Sequence, residues 1–286
     1  MPGDYVPIRE KHLETTSSIE TSNSFSSSSP NLDSRTSGSN NGADSKLVEF
    51  VGPKEFRDRS ILRGLRITYL GKDVSNVNFL VRQRDGHHES AYHFPTEDIA
   101  RQFINHEPEG IPREALILPE RPLSDELVEA YFTHVNPGCP IVDRDIFMER
   151  YENNPTKPVS LLLLQAILVV GAHVARNGSD REALKTMFFR RAKMLYDARL
   201  EKNRDFVIQA ALLLTWHSDG PDETQANSWF WTGIAARTAL GMGLHRNRGS
   251  SKITNTIDMR TWKRIWWILV QFDVSVSLFY GQPQAL

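Results

Sequence analysis

The chain has a single cysteine, Cys139, among 286 residues. One thiol excludes an intramolecular disulfide and any cysteine-cluster metal site built from this sequence. Net charge is almost absent: 34 basic residues face 35 acidic ones, leaving −1. No global field therefore draws the whole molecule to nucleic acid or to an acidic membrane, and any such attraction has to be local. An apolar run of membrane length is missing too. The longest, Leu161 to Ala175, is too short to span a bilayer and is interrupted by Gln165 and His173. The opening residues 1–7, MPGDYVP, lack the apolar core of a secretory signal. Together these absences predict a protein of a reducing interior with no membrane partner.

Bulky apolar side chains are scarce in residues 1–45, which are rich in Ser, Thr, Asn and Gly around Ser26 to Ser29. Such a segment cannot bury enough surface to offset the entropy of ordering it, so a disordered tail is expected, serving as a linker or a phosphorylatable stretch. Residues 46–121 form a basic, mostly irregular connecting region. Its cations include Lys46, Lys54, Arg57, Arg59, Arg63, Arg66, Lys72, Arg82 and Arg84. Arg57, Arg59, Arg63 and Arg66 are candidates for weak phosphate contact. The competing reading is a solvated basic face, favoured because aromatics are not interleaved with the charges. Leu65 to Leu70 and Val77 to Val81 have β-type composition on either side of Gly71, which predicts a short hairpin. A short helix is expected over Thr96 to Asn105.

From residue 122 to 286 helical periodicity dominates, with seven helices. Ser124 is the expected N-cap of the first, which carries Leu127, Val128, Tyr131, Phe132 and Val135 until Asn136-Pro137-Gly138 breaks it. Asp143 caps a second, with Ile146, Phe147 and Tyr151. Ser160 opens a third that is apolar nearly all round to Ala175, which places it at the centre. The fourth, Arg181 to about Lys202, buries Leu184, Met187, Phe188, Leu195 and Leu200 and turns Arg190, Arg191 and Lys193 outward or sideways. The fifth runs from about Asp205 to Trp216. The sixth, about Glu223 to Leu244, packs Trp229, Ile234, Ala235, Ala239 and Leu240. The seventh, about Asp258 to Tyr280, carries Trp262, Ile265, Trp266, Leu269, Val276 and Phe279 on one face. The fold class is all-α: an irregular bundle or array of αα-hairpins without a fixed repeat. It ends on Gly281 to Leu286 with no polar cap, the look of a domain incomplete at its C-terminal side.

Candidate chemistry is thin. His87, His88 and His93 cluster without metal-ligand spacing and read as a surface loop. Asp219, Asp222 and Glu223 form an acidic group that Gly220-Pro221 prevents from aligning on one helix face. Cys139 sits between Gly138 and Pro140 with no helix N-terminus to favour thiolate. His245 and Arg246 follow Gly243 at a helix end, where cations offset unpaired carbonyls. Asp273 falls on the apolar face of the last helix, so it needs a partner; Arg246 or Arg237 is the expected one.

Four segments resemble the fungal-specific transcription factor domain, the middle homology region of zinc-cluster (Zn₂Cys₆) regulators. They are Tyr131 to Asp143, Trp229 to Ala239, Gly241 to Arg246 and Arg260 to Asp273. The resemblance covers residues 122 to 286, and Thr68 to Gly71 with Ser75 to Leu80 look like sequence that precedes the domain in some members. The positions that carry it are Tyr131, Phe132, Pro137, Pro140, Trp229, Gly243, Leu244, His245, Arg246, Arg264, Trp266, Trp267 and Asp273. Val274 and Gln282 stand where the family usually has arginine. The resemblance implies a nuclear, non-enzymatic regulator of RNA polymerase II transcription, often of metabolic genes. Zinc is expected only in a zinc-cluster module, whose six cysteines this sequence does not have, and no cofactor is expected in these residues. The partners implied are the transcriptional machinery or co-regulators, a small-molecule effector, a second copy in the full-length factor, and DNA through the zinc-cluster module. Two other readings compete: an all-α enzyme or metabolite binder, and a co-regulator that acts without DNA contact.

Overall fold

The computed structural model describes residues 67–71, 91–95, 110–153, 159–220, 227–246 and 256–286. All lie in one compact unit, residues 40–286. Strands β1 (Ile67–Gly71) and β2 (Ala91–Pro95) pair antiparallel, with Tyr69 opposite His93 in register. A 3-10 turn (Arg113–Leu116) precedes seven helices: α1 (Arg121–His134), α2 (Arg144–Asn153), α3 (Leu161–Ala175), α4 (Gly178–Asp197), α5 (Arg204–Leu214), α6 (Ser228–Met242) and α7 (Thr256–Tyr280). The all-α class holds, with the small hairpin as an addition.

Helix α3 is the axis of the core. Every residue from Leu162 to Ala172 is buried, Gln165 among them, and α1, α4 and α5 enclose the helix. Each fully buried leucine or isoleucine contributes about 1.5–3 kcal/mol relative to exposure, so a helix with no polar stripe is stable only when surrounded. Ser160 starts it by accepting the Leu163 N–H at 3.3 Å. At Gly171 the α1 and α3 backbones meet so closely that a Cβ there would lie 2.2 Å from the Leu127 carbonyl oxygen. Further along the chain the packing is sequential: α6 lies on α5, and α7 lies on α6 with a minor contact on α5.

Several sequence expectations change. β1 finds its partner at Ala91–Pro95, within the stretch taken as irregular, whereas Val77 to Val81 lies outside the described residues. So do the expected tail of residues 1–45, the Thr96 to Asn105 helix, the arginines Arg57, Arg59, Arg63 and Arg66, and the His87-His88 pair. Helix α1 begins three residues before Ser124, because Pro122 in its first turn gives up an N–H that needs no partner there. Ser124 is consequently inside the helix and buried. Helix α4 stops at Asp197, with Arg199 at φ 51°, so Leu200 is exposed.

Arg191, expected to face outward or sideways, is buried. Its Nη1 donates to the Ile117 carbonyl at 3.2 Å beside Gln165 Nε2 at 3.1 Å. These two polar side chains tie the 3-10 segment to the core. Trp231 rather than Trp229 is the fully buried tryptophan of α6, ringed edge-on by Phe189, Tyr196 and Phe230. Trp229 is half-buried, as are Ile234 and Leu240. Phe279 projects into solvent, because α7 outruns the helix it packs on.

Gly171→Ala is expected to force the α1 and α3 backbones apart and destabilise the protein by about 1–3 kcal/mol or more. Urea unfolding followed by circular dichroism measures it. An unchanged midpoint would show that α1 does not approach α3 as described.

Candidate functional site

Helix α7 organises the residues singled out in the sequence, holding three separate features along its length. At its N-terminal half, Arg264 Nη1 lies 3.7 Å from Asp143 Oδ2, which ties α7 to the loop between α1 and α2. Asp143 also starts α2, accepting the Ile146 N–H at 3.3 Å. Tyr131 lies under that loop, and its hydroxyl donates to Asn136 Oδ1 at 3.2 Å. Burial, above all, pushes the Tyr131 phenol well above its ordinary value; Cys139 adds to this, while a backbone contact at Val142 and the Arg264 charge oppose it. Burial alone pushes the Cys139 thiol up to about 11, so it is a filled position rather than a nucleophile. Phe132 stacks against Tyr131 and Phe147. Pro137 is exposed and Pro140 half-buried, shaping the turn rather than filling the core.

The second feature is the corner that ends α6. Gly243 takes the left-handed conformation, φ 72°. The Leu244 N–H then donates to Ala239 O at 3.0 Å and the Gly243 N–H to Leu240 O at 2.9 Å, a Schellman closure that satisfies the last carbonyls through the backbone. Leu244 is buried beneath it. The capping role expected of His245 and Arg246 is therefore filled by main chain, and their side chains turn elsewhere. The Tyr69 ring from β1 meets His245 edge-on at 5.3 Å, Trp266 lies 6.0 Å away on the other side, and the Arg246 guanidinium sits 6.0 Å from the Tyr69 ring centre. Arg246 Nε donates to His245 Nε2 at 3.1 Å, a geometry that requires a neutral imidazole. Burial first, then the Arg246 charge, lowers the His245 pKa.

The third feature overturns an expectation. Asp273 is 3% exposed, but neither Arg246 nor Arg237 reaches it. Its carboxylate instead accepts the Ala285 N–H on both oxygens at 3.0 Å and the Leu286 N–H at 3.0 Å. Two main-chain donors hydrogen-bond the buried charge in place of a cation. Trp229 Nε1 donates to the Pro283 carbonyl at 3.2 Å, and Ser277 Oγ does so at 3.4 Å. Trp229, Ser277 and Asp273 thus strap residues 282–286 across α6 and α7. Sequence reasoning had no signal for this, because backbone donors carry no residue type. Trp267, by contrast, is 66% exposed and joins none of the three features.

None of them converges on chemistry. Among the described residues, no three His, Cys, Asp or Glu side chains are grouped as metal ligands, and no helix is long and apolar enough to cross a membrane. Asp219 faces His217 Nε2 at 2.8 Å. A cavity between α2, α3, α5 and α7 is lined by Ile146, Phe147, Leu163, Phe206, Gln209 and Trp262.

The model of the fungal specific transcription factor domain matches residues 128–286. Acetamidase regulatory protein of Aspergillus oryzae is 51% identical over 243 residues, 84% of this chain and 31% of the relative. That of Emericella nidulans is 50% identical over 243 residues, 84% of this chain and 30% of its own length. Cutinase transcription factor 1 alpha of Fusarium vanettenii is 36% identical over 251 residues, 82% of this chain and 27% of the relative. The chain spans about a third of the length of the acetamidase regulators it matches. No solved structure matches it significantly.

Two outcomes follow from this geometry. Asp273→Ala removes the acceptor of two buried N–H groups and is expected to cost about 1–3 kcal/mol and to release residues 282–286. Faster amide exchange at Ala285 and Leu286 is the measurement; unchanged protection refutes the clamp. For His245 the folded pKa lies below the unfolded one, so the native state resists the proton that the unfolded chain accepts. Its contribution to stability is complete above the ordinary histidine value and declines as pH falls through it. Replacement by glutamine should flatten that part of the pH–stability curve, read by thermal melts.

Proposed function

The chain belongs to the fungal specific transcription factor domain family, and from that premise we propose that it is the helical regulatory part of a nuclear regulator of RNA polymerase II transcription, without catalysis of its own. Identity of 51% maintained over 84% of the chain to Acetamidase regulatory proteins carries this reading furthest. On that similarity we infer that an acetamidase gene is among the targets. Sequence-specific DNA contact belongs to a zinc-cluster module, which needs several cysteines where this sequence has Cys139 alone. Zinc enters the proposal only through that module.

The packing supports the same reading. A core closed around α3, with α7 tethered beside it through Arg264 and Asp273, suits a domain that transmits contacts. The fixed features lie at helix ends and along α7, which touches the loop before α2, the corner after α6 and residues 285 and 286.

Disruption of the gene in its host is expected to lower acetamidase transcript severalfold on acetamide as nitrogen source, with restoration by the intact gene. Unchanged transcript would reject the target assignment. In a filter-binding titration, the chain alone should bind DNA no better than roughly 10⁻⁴–10⁻⁶ M, without sequence preference and more weakly as salt rises. Tight, selective binding would reject the division of labour between this part and a zinc cluster.

A further inference from the structure

Helix α7 has an outer face that nothing among the described residues covers. Its inner face packs on α6 through Trp262, Ile265 and Leu269, which are buried. Outside, Trp267 is 66% exposed, Val274 39%, Leu278 78% and Phe279 82%. With Gln271, the positions 267, 271, 274 and 278 follow the alternating four-and-three spacing of a heptad seam, the pattern that receives another helix. Isolated exposed apolar residues are ordinary, but three large ones, Trp267, Val274 and Leu278, along a single face of one helix are an interaction surface.

The charge on this face identifies the kind of partner. Arg260 and Lys263 are exposed two turns and one turn before Trp267. Among the described residues neither takes part in an ion pair, unlike Arg264, which is turned to Asp143. Between Arg260 and Tyr280 the helix has one carboxylate, Asp273, and it is buried under residues 285 and 286. The face is therefore basic and unneutralised at one end and apolar, aromatic and uncharged over the rest. Aromatic enrichment with depletion of charge marks the centre of protein interfaces, and complementary charge at the rim sets orientation. We propose that the outer face of α7 docks an amphipathic helix of a protein partner, its apolar seam on Trp267, Val274 and Leu278 and its acidic end beside Arg260 and Lys263. A second copy of this chain fits less well, because antiparallel pairing leaves both basic ends without acids and parallel pairing sets like charges together. This deepens the regulatory reading, since it names the chemistry of a co-regulator's contact.

The test uses the full chain and a fluorescein-labelled synthetic helix with a leucine seam and glutamates at one end, beside a counterpart with lysines in their place. Anisotropy titration is expected to show saturable binding of the acidic helix, weakened by added salt, and little binding of the lysine helix. Trp267→Ala should weaken the acidic helix by about thirtyfold, as for an aromatic anchor, and Lys263→Glu should weaken it while improving the lysine helix. Both sites are exposed, and circular dichroism of the variants verifies that the fold is retained. Equal binding of the two helices, no binding of either, or self-association of the chain through this face in sedimentation velocity would overturn the proposal. Such a failure leaves the regulatory reading standing, because the transcript measurement decides that separately.

Discussion

Everything in this structure depends on enclosing α3, a helix without a polar side. Such an element is stable in water only when it is surrounded, and here α1, α4 and α5 surround it. The closest of these contacts runs through backbone rather than side chains. Gly171 lets α1 come in until its Leu127 carbonyl occupies the space a Cβ would take. The remaining helices are layered outward from this packing. Because one turn of α1 is fixed against α3, the loop that follows α1 is fixed too, and with it Tyr131, Asp143 and the reach of Arg264.

Helix α7 is the other organising element, and it works differently. It lies at the margin of the core, packed mainly on one neighbour, and ties down what would otherwise be separate: a loop through Arg264, a corner through Trp266, a strap through Asp273. A helix with so many specific tethers and so little burial on its outer side can report on its surroundings. This arrangement agrees with membership of a family of transcription regulators.

The helices were legible in the sequence because their apolar residues recur at helical spacing over long stretches, and because Ser160 and Asp143 are strong starting signals. Helix ends were less so: Pro122 moved one start upstream, and Arg199 closed α4 early. The pairing of β1 with Ala91–Pro95 escaped, since both stretches are short and a nearer β-type segment competed. At the candidate site, residue identity pointed correctly to Asp273 as a buried carboxylate, but charge reasoning supplied the wrong partner, because a main-chain N–H is invisible to any reading by residue type. Arg191 was misassigned for the related reason that a lone carbonyl, Ile117, draws it inside. Trp231 and Trp229 differ by only two positions, and periodicity alone did not separate the core residue from the one that grips Pro283.

The Asp273 clamp has an evolutionary corollary. What it grips at residues 285 and 286 is common to nineteen of the twenty amino acids, so substitution there is nearly free of selection by this contact, with proline the one exclusion. The carboxylate itself enjoys no such latitude: glutamate is a methylene too long for the same pair of donors, and asparagine brings hydrogens where lone pairs are wanted.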